Sequence, residues 1–139
     1  AKVTSKMNQI LAELDAGANG AKSLMLDLDG NVAENSSANF FLVRDGVLWT
    51  APERNILEGV TRKVVFELAE RLDIALEERN FTMYDVAQAD EYFLTSSAIC
   101  AMPVRRIDSF TPKLGIPGPI TKRLIEAFAE DTGYRFGQA

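Results

Sequence analysis

Three short segments of this 139-residue sequence combine hydroxyls, glycine and a carboxylate in ways that suit a small anionic ligand. Leu57-Glu58-Gly59-Val60-Thr61-Arg62 lies where a loop gives way to helical spacing. Gly59 there permits close backbone approach, and Thr61 adds a hydroxyl to the N–H groups of a helix start. That outlines a phosphate cradle; helix capping by Thr61 is the commoner use of such a threonine, and the residues alone leave both open. Thr95-Ser96-Ser97-Ala98 is a second cluster of hydroxyls, directly after an apolar run. Two such clusters converging on one phosphate would hold it with neutral donors, although the same residues also suit a turn. Glu34 follows Asn31-Val32-Ala33 and precedes Asn35-Ser36-Ser37. A carboxylate at such a strand end can meet a buried ligand nitrogen or simply face water.

The rest of the composition narrows the chemistry. With no histidine and a single cysteine, the histidine-based nucleophile systems, internal disulfides and cysteine-built zinc sites are excluded. An enzyme built from this sequence works with lysine, carboxylates, hydroxyls or a cofactor. Cys100, between Ala98-Ile99 and Ala101-Met102, reads as a small buried hydrophobe. Arg105-Arg106 can take a substrate carboxylate, but an exposed strand pair is the plainer reading. Lys2, Lys6 and Lys22, judged from the residues alone, are solvated charges. A net charge of -5 argues against a nucleic-acid partner, whose phosphates demand a basic face. No apolar run reaches membrane-spanning length and no signal-peptide pattern opens the sequence, so a cytoplasmic protein without a membrane partner is expected.

The elements that must position these groups follow from periodicity. Met7, Ile10, Leu11 and Leu14 recur at helical spacing, which predicts an opening helix that ends before Gly17 and Gly20. Leu24-Met25-Leu26, a turn through Leu28-Asp29-Gly30-Asn31, and Val32-Ala33-Glu34 predict two strands. Asn39 to Val43 and Val47 to Thr50 flank Asp45-Gly46, the strongest hairpin signal in the sequence. After a polar loop from Ala51 to Asn55, Val64, Val65, Leu68, Ala69 and Leu72 mark a helix from near Thr61. Further expectations are a short strand over Ile74 to Arg79, a helical turn over Thr82 to Ala87, and strands over Tyr92 to Thr95 and Val104 to Ile107. A closing helix with Ile120, Leu124, Ile125 and Phe128 on one face should stop at Gly133. The class is α+β, an antiparallel-rich sheet with packed helices in one domain over residues 1–139.

Taken in order, these segments resemble the fold-type IV pyridoxal-phosphate enzymes: branched-chain and D-amino-acid aminotransferases, R-selective amine transaminases and aminodeoxychorismate lyases. The resemblance is carried by the run from Gly30 to Leu48, by Ile56 to Arg62, by Ala89 to Ala98, and by Met102-Pro103-Val104 with Ile107-Asp108. It covers essentially the whole sequence. The resemblance implies pyridoxal 5'-phosphate as cofactor and Lys2 as the Schiff-base lysine. It implies Glu34 as the carboxylate against the pyridine nitrogen, which keeps the ring an electron sink, and Leu57 as the aliphatic residue on the ring. Gly59, Val60 and Thr61, with Ser96 and Ser97, match the phosphate-binding positions. Lys6 lies near where several members carry a tyrosine, and Ser96-Ser97 stand where Gly and Thr are common, so the substrate is left open.

The same resemblance implies a homodimer and, ahead of Lys2, a smaller N-terminal domain that this sequence does not include. The expected activity is transfer of an amino group between an amino acid and a 2-keto acid, with turnover impaired in a piece of the whole. Two alternatives accompany it: lyase chemistry of the aminodeoxychorismate type, and a remnant domain without catalysis.

Overall fold

The computed structural model describes residues 8–14, 21–26, 29–33, 38–52 and 59–133. In chain order its elements are β1 (Asn8–Leu14), β2 (Ala21–Leu26), β3 (Val32–Ala33), β4 (Phe40–Arg44), β5 (Val47–Thr50), α1 (Val60–Arg71), β6 (Leu76–Glu78), α2 (Met83–Ala87), β7 (Glu91–Ser96), β8 (Cys100–Ile107) and α3 (Pro119–Thr132). The strands form one sheet in the order β3-β2-β1-β8-β7-β4-β5-β6. Every pairing is antiparallel except β5 with β6. The mixed α+β class with an antiparallel-rich sheet is therefore the fold of this chain.

The hairpin of β4 and β5 turns on Asp45 (φ 53°) and Gly46 (φ 81°). Two successive positive φ values are what a two-residue hairpin with the right-handed strand twist requires, and Asp-Gly meets that demand at low cost. β4 is buried on both faces, which explains its unbroken run of apolar residues. Phe40 and Leu42 enter one core with Trp49, Phe81, Val86, Tyr92, Leu94 and Val104. Phe41 and Val43 enter a second core with Leu48, Val65, Leu68, Phe93, Ala101 and Leu124, beneath α1 and α3. Period-two alternation thus distributes one strand between two cores.

α3 begins with Pro119 at its first turn after the Gly118 cap and ends at Gly133 (φ 78°). Both ends carry the residues that helix termini favour. Its first turn is met by Glu91 of β7, a carboxylate only 1% exposed. Thr121 donates to Glu91 Oε1 from both its N–H and its hydroxyl, each at 2.7 Å, and the Ile120 N–H donates to Oε2 at 3.0 Å.

The expected opening helix is overturned where the structure describes it. Ile10, Leu11 and Leu14 lie in β1, which pairs antiparallel with β2 along Asn8–Glu13 and with β8 through Ala12, Glu13 and Leu14. The i, i+3, i+4 apolar spacing is compatible with either period over so short a span. Pairing with β2 along most of the segment and with β8 at its end supplies the backbone's hydrogen bonds, and tertiary context decides against the local pattern. β8 also begins earlier than expected: Cys100 to Pro103 pair with β7 before Val104 to Ile107 pair with β1.

Candidate active site

The register of β4 against β7 sets Phe40 opposite Leu94, so the start of β4 and the end of β7 lie at the same end of the sheet. Asn39, immediately before β4, joins Thr95 through two hydrogen bonds. The Asn39 N–H donates to Thr95 Oγ1 at 2.9 Å, and the Thr95 N–H donates to the Asn39 carbonyl at 2.9 Å. The chain then turns through Ser97 toward Cys100, with Ser96 Oγ accepting the Ala98 N–H at 3.3 Å. Ser96 is part-buried and Ser97 is exposed at the turn.

α1 starts at the same place. Gly59 is its cap in an extended conformation and, having no side chain, brings no capping acceptor of its own. The N-terminus of a 12-residue helix has first-turn N–H groups without partners inside the helix and about half a positive charge, which favours a phosphate. Thr61 is the second residue of this helix rather than its cap, so capping does not account for it. Val60 is 82% exposed; in such a site it contributes its backbone and not its side chain.

Gly59 and Asn39 bring the two hydroxyl clusters together. A Cβ on Gly59 would stand 2.8 Å from Asn39 Oδ1, so the cap residue passes directly over the asparagine that also pairs with Thr95. On its other side the first turn of α1 is tied down by Arg62, which is buried. Arg62 Nη2 donates to the Ala51 carbonyl at 3.1 Å and to Glu78 Oε1 at 3.3 Å, and its guanidinium stacks 4.6 Å from the Phe66 ring centre. The helix start is held by the Arg62 hydrogen bonds on one flank and packs against the Asn39 side chain on the other.

Of the sequence-predicted site residues, Gly59, Val60, Thr61, Ser96 and Ser97 lie at this one end of the sheet. Lys2, Glu34 and Leu57 lie outside the described residues. Asn39 reads in the sequence only as the start of a strand. Its signal is a polar residue opening an otherwise apolar run, at a position where a strand alone has no use for an amide.

Neighbouring groups are not poised for chemistry. Burial pushes the Cys100 thiol up to about 12 and raises the Tyr92 phenol as well. The Cys100 thiol therefore keeps its proton in the folded chain at pH 8 and loses it readily only once unfolded, near the ordinary thiol value of about 8.5. Its contribution to stability is full below that value and falls as pH rises toward 12, because the unfolded chain gives up the proton first. A thiolate-specific reagent at pH 8 is expected to label Cys100 at the rate of unfolding, with rapid labelling in denaturant; fast labelling of the native chain would contradict the buried thiol.

Arg105 and Arg106 form the exposed strand pair. The register of β8 against β1 shifts between Glu13 and Leu14, leaving Arg105 as the extra residue of a bulge. Both arginines turn to Glu13, Arg105 at 3.4 Å and Arg106 more closely. The hydrogen bond from Arg106 is the main cause holding the Glu13 carboxyl below its usual range. Neither arginine is left without a carboxylate of the chain's own.

A mixed sheet with a helix N-terminus and a hydroxyl turn meeting at one end suits a phosphate ester held by neutral donors. The amino-transferase class IV family matches residues 1–107, and the chain belongs to that family. It is 36% identical over 131 residues to a D-alanine aminotransferase of Listeria monocytogenes, covering 94% of this chain and 45% of that protein. A branched-chain amino acid aminotransferase of Escherichia coli superposes with a TM-score of 0.75 at 29% identity, over 97% of this chain and 53% of that one. A branched-chain amino acid aminotransferase from T.th., solved with pyridoxamine 5'-phosphate, gives 0.72 at 38% identity, over 81% and 38%. The chain spans a little under half the length of the curated relatives it matches. Among the described residues, no helix is long and apolar enough to cross a membrane.

Proposed function

We propose that this chain is the cofactor-holding part of a pyridoxal-phosphate-dependent aminotransferase that moves an amino group between an amino acid and a 2-keto acid. The observation that carries the reading is the meeting of the α1 start with the Ser96–Ser97 turn across Asn39. A helix N-terminus without a side-chain cap, next to a turn bearing hydroxyls, fits a phosphate monoester. The pyridoxamine 5'-phosphate of the T.th. structure supports the choice of phosphate ester.

In this reading the N–H groups of Val60 and Thr61 bind the phosphate, with the hydroxyls of Thr61, Ser96 and Ser97, and Gly59 keeps the approach open. Pyridoxal phosphate supplies, when bound, an electron sink for the charge that develops at the substrate α-carbon. Lys2 Nζ holds the cofactor between turnovers and, once freed, moves the proton at that α-carbon, tasks that suit one amine as nucleophile and base. The Glu34 carboxylate keeps a proton on the ring nitrogen and Leu57 packs on the ring face. The substrates are amino acids and keto acids of the kinds named in its relatives, with D-alanine and branched-chain donors the first to try. The working protein is a cytoplasmic homodimer, in keeping with the family resemblance, and its net charge of -5 speaks against nucleic acid.

The test is an absorbance spectrum of the chain with pyridoxal phosphate, followed by borohydride reduction and peptide mapping. The expected result is a long-wavelength band and a label on Lys2, both lost in Lys2→Ala. No band, or label scattered over surface lysines such as Lys63, Lys113 and Lys122, would mean the family fold without its chemistry.

A further inference from the structure

We infer that Asn39 is the positioning residue of the phosphate site, the strut that holds the α1 N-terminus and the Ser96–Ser97 turn in a single arrangement. The inference rests on the reading above and adds a residue to it. Asn39 is 4% exposed, so its amide is a costly thing to bury and needs a use. Its backbone and its side chain face different elements. The backbone of Asn39 exchanges two hydrogen bonds with Thr95, one residue before Ser96, and so sets where the hydroxyl turn leaves β7. Its side-chain oxygen lies against Gly59, so close that any Cβ there would come within 2.8 Å of it. Gly59 is the residue whose carbonyl receives the first bond of α1, from the Lys63 N–H at 3.3 Å.

One residue therefore links two donor groups that belong to different elements, and it meets Thr95 from 56 positions away. Neutral donors bind an anion well only when they are already aimed at it, because no net charge compensates for reorganisation. Thr95 takes part through its Oγ1, which accepts from Asn39 rather than turning to a ligand. The strut is thus two residues deep, with Asn39 touching both sides and Thr95 holding Asn39.

The experiment compares pyridoxal phosphate with pyridoxal, which lacks the phosphate, by absorbance titration of the chain and of Asn39→Ala and Thr95→Val. The parent is expected to prefer pyridoxal phosphate. Each variant should lose about tenfold of its affinity for pyridoxal phosphate while its affinity for pyridoxal stays at the parent's value, so the ratio of the two collapses. Equal losses for both ligands, or a ratio equal to the parent's, overturns the inference, since a general loosening of the fold does not distinguish them. Thr95→Val keeps shape and carries the test if Asn39→Ala does not fold. A parent that binds neither ligand, or shows no preference, would instead sink the reading of the site itself, and the strut with it.

Discussion

Glu91→Ala is expected to lower the unfolding free energy by about 3–5 kcal/mol, from the lost charge-assisted hydrogen bonds and the buried donors left behind. The carboxylate accepts from the Ile120 N–H, the Thr121 N–H and the Thr121 hydroxyl. It does so at the positive end of a 14-residue helix, where an anion is favoured. Thr121 is as deeply buried as Glu91, so water does not easily replace the lost acceptor. Gly118 belongs to the same device. A Cβ there would lie 2.6 Å from Glu91 Oε1 and closer still to Cγ and Cδ, and Glu91 is pinned by three bonds and cannot swing aside. Gly118→Ala should therefore destabilise strongly in the parent and far less in the Glu91→Ala background, a coupling that additive effects would not give. Urea midpoints at unchanged slope measure both. Additivity of the two substitutions would show that the clash is relieved elsewhere.

Phe93→Ala should cost a similar amount, about 3–5 kcal/mol, as lost transfer energy and an unfilled cavity combine. Phe93 is fully buried in the middle of the sheet and stacks on Phe41 with ring centres 5.0 Å apart and planes at 10°. Phe41 in turn meets Phe66 of α1 edge-on at 6.3 Å. The three rings form a path from β7 through β4 to the helix whose first turn lines the candidate site. A chain of this length has roughly 7–20 kcal/mol of stability in total, so the loss should appear as a large drop in melting temperature. Phe93→Leu, which keeps most of the volume, is expected to lose about 1 kcal/mol. Equal losses for the two substitutions would argue that ring stacking, rather than volume, holds the helix on the sheet.

How much of this is legible in the sequence depends on how local each feature is. The β4–β5 hairpin is readable because Asp45 and Gly46 announce their own backbone geometry. α1 and α3 are readable because their apolar faces repeat over 12 and 14 residues, long enough for one period to win. β1 misleads because seven residues hold too few repeats to separate helix from strand, and the pairing with β2 and β8 that decides it is not written in the segment's own pattern. The first half of β8 is hidden by Pro103, which discourages a strand reading yet is accommodated opposite Phe93. In the candidate site, the glycine, threonine and serines are readable by type. The asparagine between them is not, since nothing in the sequence says that Asn39 and Gly59 touch. The Glu91 cap of α3 escapes for the same reason, its donors lying 29 and 30 positions away.

β8 is the seam of the sheet: its first half pairs with β7 and its second half with β1. Glu13 and Arg106 meet from 93 positions apart, whereas β7 and β8 form a hairpin that closes locally, with Ser96 opposite Cys100. Longer closures form more slowly, so as the chain folds the β7 side of the seam is expected to close while Val104 to Ile107 still offers an open strand edge. Such an edge invites other chains to pair with it. Arg105 and Arg106, side by side in β8, put two like charges on that edge until Glu13 arrives to pair with them. The arginines that the sequence offers as a plain exposed strand pair serve, on this account, as sentries against aggregation in the unfinished protein.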